Sequence, residues 1–227
     1  MIFLAPLLSW LPSATLAVVV IVYSVGLIQP GEFRKIGQIR MMEFRWAVIA
    51  CLGVLLFGTL EGIVVAILAS LLGLASQTAH PRVYVIGRKP GEDVLRPLSE
   101  QHPDDETIPG LLILRPEGRL FFINAQHVAA QVRQLTETHR PEVVVLDMSR
   151  VQDVEYSALM MLMEGERQVR DKGVTLWLAG LNPGVLENVR RSGLASQLGE
   201  SRMLFNARAA IRQYRQGRGE PGLTPLA

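Results

Sequence analysis

Apolar and polar positions divide the chain into two unlike parts. From Met1 to Gly31 no charged residue interrupts the sequence. A bilayer core about 30 Å thick takes roughly 20 apolar residues as a helix, and Leu7 to Ile28 supplies such a span. A polar stretch with Arg34, Lys35, Arg40 and Arg45 follows. A second apolar run, "WAVIACLGVLLFGTLEGIVVAILASLLGLAS", then extends from Trp46 to Ser76 with Glu61 as its only formal charge. It is too long for one ordinary span and short for two. Basic residues lie before it and, as Arg82, Arg88 and Lys89, after it. A single crossing therefore strands one basic cluster on the wrong side of the membrane. Two short crossings, turning near Gly58 to Gly62, put both clusters in the cytoplasm.

Beyond His80 the period changes, and short apolar strands alternate with helical stretches. "RVYVIG" (82–87) reads as a strand and residues 88–109 as a Pro-, Gly- and charge-rich loop with little to bury. "LLILRP" (111–116) and "RLFFIN" (119–124) bracket Glu117-Gly118, a turn of hairpin length. Asn124 is placed to cap a helix from Ala125 to about Thr138. "EVVVLDM" (142–148), rich in valine without alternation, predicts a strand covered on both faces. A helix follows from about Ser157 to Lys172, burying Leu159, Leu162, Met163 and Val169. "VTLWLAG" (174–180) is the next strand, Asn182-Pro183 opens a helix that ends at Ser192-Gly193, and "RMLF" (202–205) precedes a closing helix from Ala207 to Gln216. The expectation is a membrane α-helical segment followed by a small α/β domain with a mixed sheet. The divisions are 1–79, 80–216 and a disordered tail, 217–227.

Charge and composition narrow the function. Lys and Arg number 23 against 21 Asp and Glu, and the balance is +1 in residues 1–80 and +1 in the remainder, so nucleic acid is set aside as a partner. The single cysteine, Cys51, sits in an apolar run and cannot form an internal disulfide. Four histidines lack metal-ligand spacing, so neither metal nor cofactor is implied. No basic residue precedes the first apolar run, which argues against a secretory signal. With residues 30–45 in the cytoplasm, the first span starts on the far side, which reads as the start of a fragment. Gly58 and Gly62 form a small-xxx-small pair suited to close helix packing or to the turn itself. Glu61 is either an intramembrane functional group or a carboxylate that reaches headgroup water.

The loop "LDMSRVQDVEYSAL" resembles the signature of STAS domains, the fold shared by bacterial anti-sigma-factor antagonists and the cytoplasmic tails of SulP-type anion transporters. That pattern is a strand ending in Asp-x-Ser, a few residues, then Asp-Ser-Ser/Thr-Gly opening a helix. Asp147 and Ser149 match the first pair. Glu155 stands at the second acid, Tyr156 where the antagonists carry a phosphorylated serine, and Ser157 follows one position late. "FLAPLLSWLPSATLAVVVIVYSVGLI", "GEFRKI", "GVLLFGTLEGIVVAI" and "GLLILRPEGRLFFINAQ" are similar to successive landmarks of a SulP permease, so the resemblance runs from residue 3 to about 216.

It implies a C-terminal fragment of a secondary sulfate or inorganic anion transporter in the inner membrane, not an enzyme, with its α/β domain regulating or assembling the transporter. Family permeases have many more helices ahead of this point, with the anion site among them, so this chain alone is expected not to transport. The implied partners are membrane lipid, the missing helices, a second copy in a homodimer, and a cytoplasmic regulatory protein or nucleotide. A free-standing, membrane-tethered STAS module of the antagonist kind is the alternative.

Two readings of residues 149–157 stay open. In one, Asp147, Ser149, Asp153, Glu155, Tyr156 and Ser157 form a contact and regulatory surface where helix N–H groups attract an anion or acidic partner. In the other, Asp153 and Glu155 cap the helix and complement its dipole. No histidine, lysine or nucleophile stands at a spacing that makes these acids a reaction centre.

Overall fold

The computed structural model describes residues 13–219; the expected start of the first span at Leu7 and most of the expected tail lie outside them. The chain divides into two compact units, Met1–Leu74 and Ala75–Ala227.

The first unit is helical: α1 (Ser13–Leu27), α2 (Pro30–Ile39), α3 (Met41–Phe57) and α4 (Thr59–Ala79), the last running on into the second unit. None of the α1 residues is buried although the helix is apolar all round, a surface that suits lipid and not water. Among the described residues, Ser13–Ile39 and Thr59–Ala79 are long and apolar enough to cross a membrane. Helix α3, 17 residues long, reaches only about 25 Å.

Gly58 ends α3 at φ +94°, a conformation glycine adopts without steric cost, and its N–H donates to the Val54 carbonyl (3.1 Å). The chain then reverses. A Cβ added at Gly62 would lie 2.7 Å from the Val54 nitrogen, and one at Gly73 2.7 Å from Trp46 Nε1. The pairs 54/62 and 46/73 run in opposite directions, so α3 and α4 form an antiparallel hairpin that closes because these positions carry no side chain. Glu61 is exposed in the first turn of α4, next to Gly58.

In the second unit a six-stranded mixed sheet has the order β2-β1-β3-β5-β7-β8, built from β1 (Val83–Arg88), β2 (Leu95–Pro97), β3 (Leu111–Pro116), β5 (Val143–Asp147), β7 (Thr175–Ala179) and β8 (Met203–Leu204). From β3 to β8 the pairings are parallel, and β1 joins β3 antiparallel, Val83 opposite Pro116. Helices α5 (Ala125–His139), α6 (Tyr156–Asp171), α7 (Pro183–Arg191) and α8 (Leu194–Leu198) cover one face, and α9 (Ala207–Gly217) covers the other. The missing alternation in "VVVLD" is explained by this: Val144 and Leu146 pack under α5 and α6, Val143 and Val145 under α9, and all are buried. A mostly apolar cavity of about 190 Å³ remains between α5 and α6 above the sheet.

Three sequence expectations are corrected. Strand β4 (Gly118–Leu120) does not return along β3. Both edges of β3 are taken, by β1 and β5, so β4 pairs instead with β6 (Val151–Val154) in a separate two-stranded sheet. The 88–109 segment is not bare loop: β2 pairs with β1, and the Arg96 guanidinium grips Asp105 through two 2.7 Å bonds. That hydrogen bond first, with the charge of Arg96 adding to it, holds the Asp105 carboxyl below its usual range.

The third correction concerns Asn124, which stands ahead of α5 but does not cap it. Its buried amide donates to the carbonyls of Thr78 (3.1 Å) and Arg119 (2.8 Å) and accepts from the Phe121 N–H. Gln131, about two turns further along, donates to the Pro81 carbonyl (3.1 Å) and accepts from the Val83 N–H (3.2 Å).

Candidate functional site

The signature stretch lies at the end of the sheet where β5 and β7 finish. Strand β5 delivers Asp147 into the interior, only 2% exposed. Its Oδ2 accepts from Arg115 Nε (2.8 Å) and lies 2.7 Å from Arg115 Nη2, while its Oδ1 accepts from the Ser149 N–H (3.1 Å). Asp147 thereby caps a single 3₁₀ turn, Met148–Arg150, whose Met148 is driven into the core and whose Ser149 and Arg150 are exposed. Asp147 therefore builds the turn from beneath and offers no charge to a partner.

Strand β6 follows, where sequence reasoning expected loop. Val151 and Val154 point inward, Gln152 is exposed and Asp153 half-buried. Two asparagines hold β6 from the side. Asn182 Nδ2 donates to the carbonyls of Val151 (2.9 Å) and Gln152 (3.1 Å), while its Oδ1 accepts from the Val185 N–H (2.9 Å) and so caps α7. Asn188 Nδ2 donates to the Val154 carbonyl.

Glu155 occupies the position before α6, yet its side chain makes no capping bond. Arg119 explains this: its Nη2 lies 2.8 Å from Asp153 Oδ2 and 3.7 Å from Glu155 Oε1. Both acids thus face a guanidinium brought in by β4, and the first-turn N–H groups of α6 receive no side-chain cap. Tyr156 projects beside them, 73% exposed, and Ser157 is half-buried. Phe205 follows β8 at this same end and is 90% exposed.

The structure brings Ser149, Asp153, Glu155, Tyr156 and Ser157 onto one end of the domain; Asp147 lies beneath them, and Gly58, Glu61 and Gly62 belong to the helical hairpin. Arrayed this way, the exposed residues offer mixed charge, an aromatic ring and helix N–H donors, which suits contact with a partner more than bond-making chemistry. Among the described residues no group of three or more His, Cys, Asp and Glu is placed to hold a metal.

Sequence reasoning missed Arg115 and Arg119, which the fold carries to the signature from 32 and 34 residues away. It also missed Glu166, fully buried on α6, where Arg170 (3.0 Å), Arg202 (3.7 Å) and Gln197 surround it. The signal for Glu166 was present: it interrupts the helical recurrence of Leu159, Leu162 and Val169 with a carboxylate on the same face.

Comparison with known proteins agrees with this architecture. Residues 102–209 match the STAS domain family model. High affinity sulfate transporter 2 of Stylosanthes hamata is 28% identical over 228 residues, covering 94% of this chain and 34% of that protein. Sulfate transporter 1.1 of Arabidopsis thaliana is 28% identical over 219 residues, covering 92% and 34%. The chain thus spans about a third of the length of the curated relatives it matches. Among solved structures, the murine Solute Carrier 26 family member A9 anion transporter in its inward-facing state superposes with a TM-score of 0.72 at 19% identity, over 84% of this chain and 31% of that one. These relatives are transporters rather than enzymes.

Proposed function

From a chain that carries a STAS domain and resembles the C-terminal part of SulP-type sulfate transporters, we propose that it works as the C-terminal part of a secondary transporter for sulfate or a related inorganic anion. The observation that carries the reading is the continuity of the match: one alignment runs through the apolar helices and the α/β domain together, over 94% of the chain. The membrane is its location. In this reading the apolar helices cross the inner membrane several times, the α/β domain faces the cytoplasm, and the anion site belongs to helices outside these residues.

The α/β domain packs within the transporter and regulates it through the surface of Ser149, Asp153, Glu155, Tyr156 and Ser157, with a second copy or a cytoplasmic protein as partner. In the helical hairpin, Gly58 and Gly62 serve close packing, and Glu61 complements the positive end of α4. Expression of the 227 residues in a strain lacking sulfate uptake tests the division of labour. No uptake is expected, and restored uptake overturns the proposal. Protease protection in oriented vesicles tests the topology, which fails if residues 81–216 are shielded from the cytoplasmic side.

A further inference from the structure

A second polar site lies at the opposite end of the sheet, where β3 and β5 begin. Arg88, Glu106, Thr107, Arg215 and Arg218 are among the residues enclosing a cavity of about 140 Å³ there. The three arginines are not equivalent. Arg88 is paired with Glu106 (2.9 Å), and Arg218 with Glu142 (3.2 Å) while lying 5.6 Å from the centre of the Tyr214 ring. Among the described residues Arg215 has no carboxylate partner, and its Nε is buried without a hydrogen-bond acceptor.

A buried donor left unmade is destabilising, and folded proteins keep few of them. Among the described residues the counter-charges nearby are already engaged, so three guanidinium groups face two carboxylates at the cavity. A guanidinium presents its N–H groups as a rigid fork that matches two oxygens of one oxyanion. A monatomic anion fills only one prong of that fork, and a cavity of this size excludes a nucleotide.

We propose that this cavity binds a small tetrahedral oxyanion, sulfate or inorganic phosphate. Arg215 donates through its fork, and the Thr107 hydroxyl gives a further donor. Arg88 and Arg218, held by their own carboxylates, line the site without collapsing into it. The inference uses the α/β domain alone and does not depend on the transport reading.

Isothermal titration of the full chain in detergent, with sodium sulfate or sodium phosphate at fixed ionic strength, tests it. One saturable site per chain is expected, with chloride and acetate at least tenfold weaker. Arg215→Gln is expected to weaken sulfate binding at least tenfold, and Arg215→Lys, which keeps the charge but not the fork, by a smaller factor. Arg212→Gln, exposed on the same helix, leaves binding unchanged. Absence of saturable binding overturns the proposal, as does chloride binding equal to sulfate, or undiminished binding in Arg215→Gln, which also covers an ion held elsewhere in the chain. If circular dichroism shows Arg215→Gln unfolded, Arg215→Lys decides, since full affinity in that variant refutes a role for the fork.

Discussion

Removing the carboxylate of Asp147 tests whether the signature aspartate is structural. Its side chain is 3% exposed and that of Arg115 14%, so Asp147→Ala leaves a nearly buried guanidinium without its counter-charge. Breaking such a pair by removing one partner costs about 3–5 kcal/mol. The Ser149 N–H loses its acceptor as well, within the same figure. For a domain of roughly 150 residues each kcal/mol moves Tm by about 2–4 °C, which gives a fall of about 6–20 °C.

Asp147→Asn keeps an oxygen for the Ser149 N–H and removes only the charge, so it is expected to fall between. The double variant Arg115→Met with Asp147→Leu removes both charges and is expected to recover most of the loss, because an apolar pair of similar volume often replaces a buried ion pair at little cost. The assay is thermal melting of the α/β domain by circular dichroism on the full chain in detergent, with amide exchange across residues 147–151 as a local reading. The reasoning is refuted if Asp147→Ala melts within 2 °C of the unmodified chain, on the order of 1 kcal/mol or less, or if the two changes simply add in the double variant.

Gly165 lines the cavity between α5 and α6, with nothing within 4 Å of an added Cβ. Gly165→Ala is therefore expected to stabilise by about 0.5–1 kcal/mol, seen as a rise in Tm, and a fall would show that the space is occupied. Asp105 has its carboxyl held low by Arg96, so its contribution is full above the ordinary carboxylate pKa of about 3.9 and is lost as pH falls further through the folded value. An acid titration of stability is expected to be shallower below about pH 4 in Asp105→Asn than in the unmodified chain, and identical profiles would remove the linkage. Gly62→Val drives a side chain into the Val54 backbone and is expected to cost about 1–3 kcal/mol in detergent melts. Gly26→Ala, which meets open space, is the control, and equal melting of the two would deny the close approach.

The fold was legible where local pattern and packing agree. The valine run at 143–147 announced a strand covered on both faces, and Asn182-Pro183 announced a capped helix start; both follow from nearest-neighbour chemistry. The hairpin at Glu117-Gly118 was misread because the turn signal is local, whereas the competition for the edges of β3 is settled by strands distant in sequence. The signature was read as a loop, whereas residues 151–154 form strand β6 and the side chains around it take partners distant in sequence. Asp147 looked like a surface acid until Arg115 was seen behind it, and Asp153 and Glu155 looked like helix caps until Arg119 claimed them. In each case the deciding partner is a cation more than 30 residues away, which no spacing rule anticipates.

The grip of Asn124 on Thr78 and of Gln131 on Pro81 and Val83 changes what the stretch around His80 can do. A stretch marked by a histidine and a proline suggests a loose turn, yet two amide side chains, one just ahead of α5 and one within it, hold its backbone on either side. Freeing the backbone from residue 78 to residue 83 means breaking three bonds at once, so this stretch is pinned to the helix that begins at Ala125 rather than hanging loose beside it.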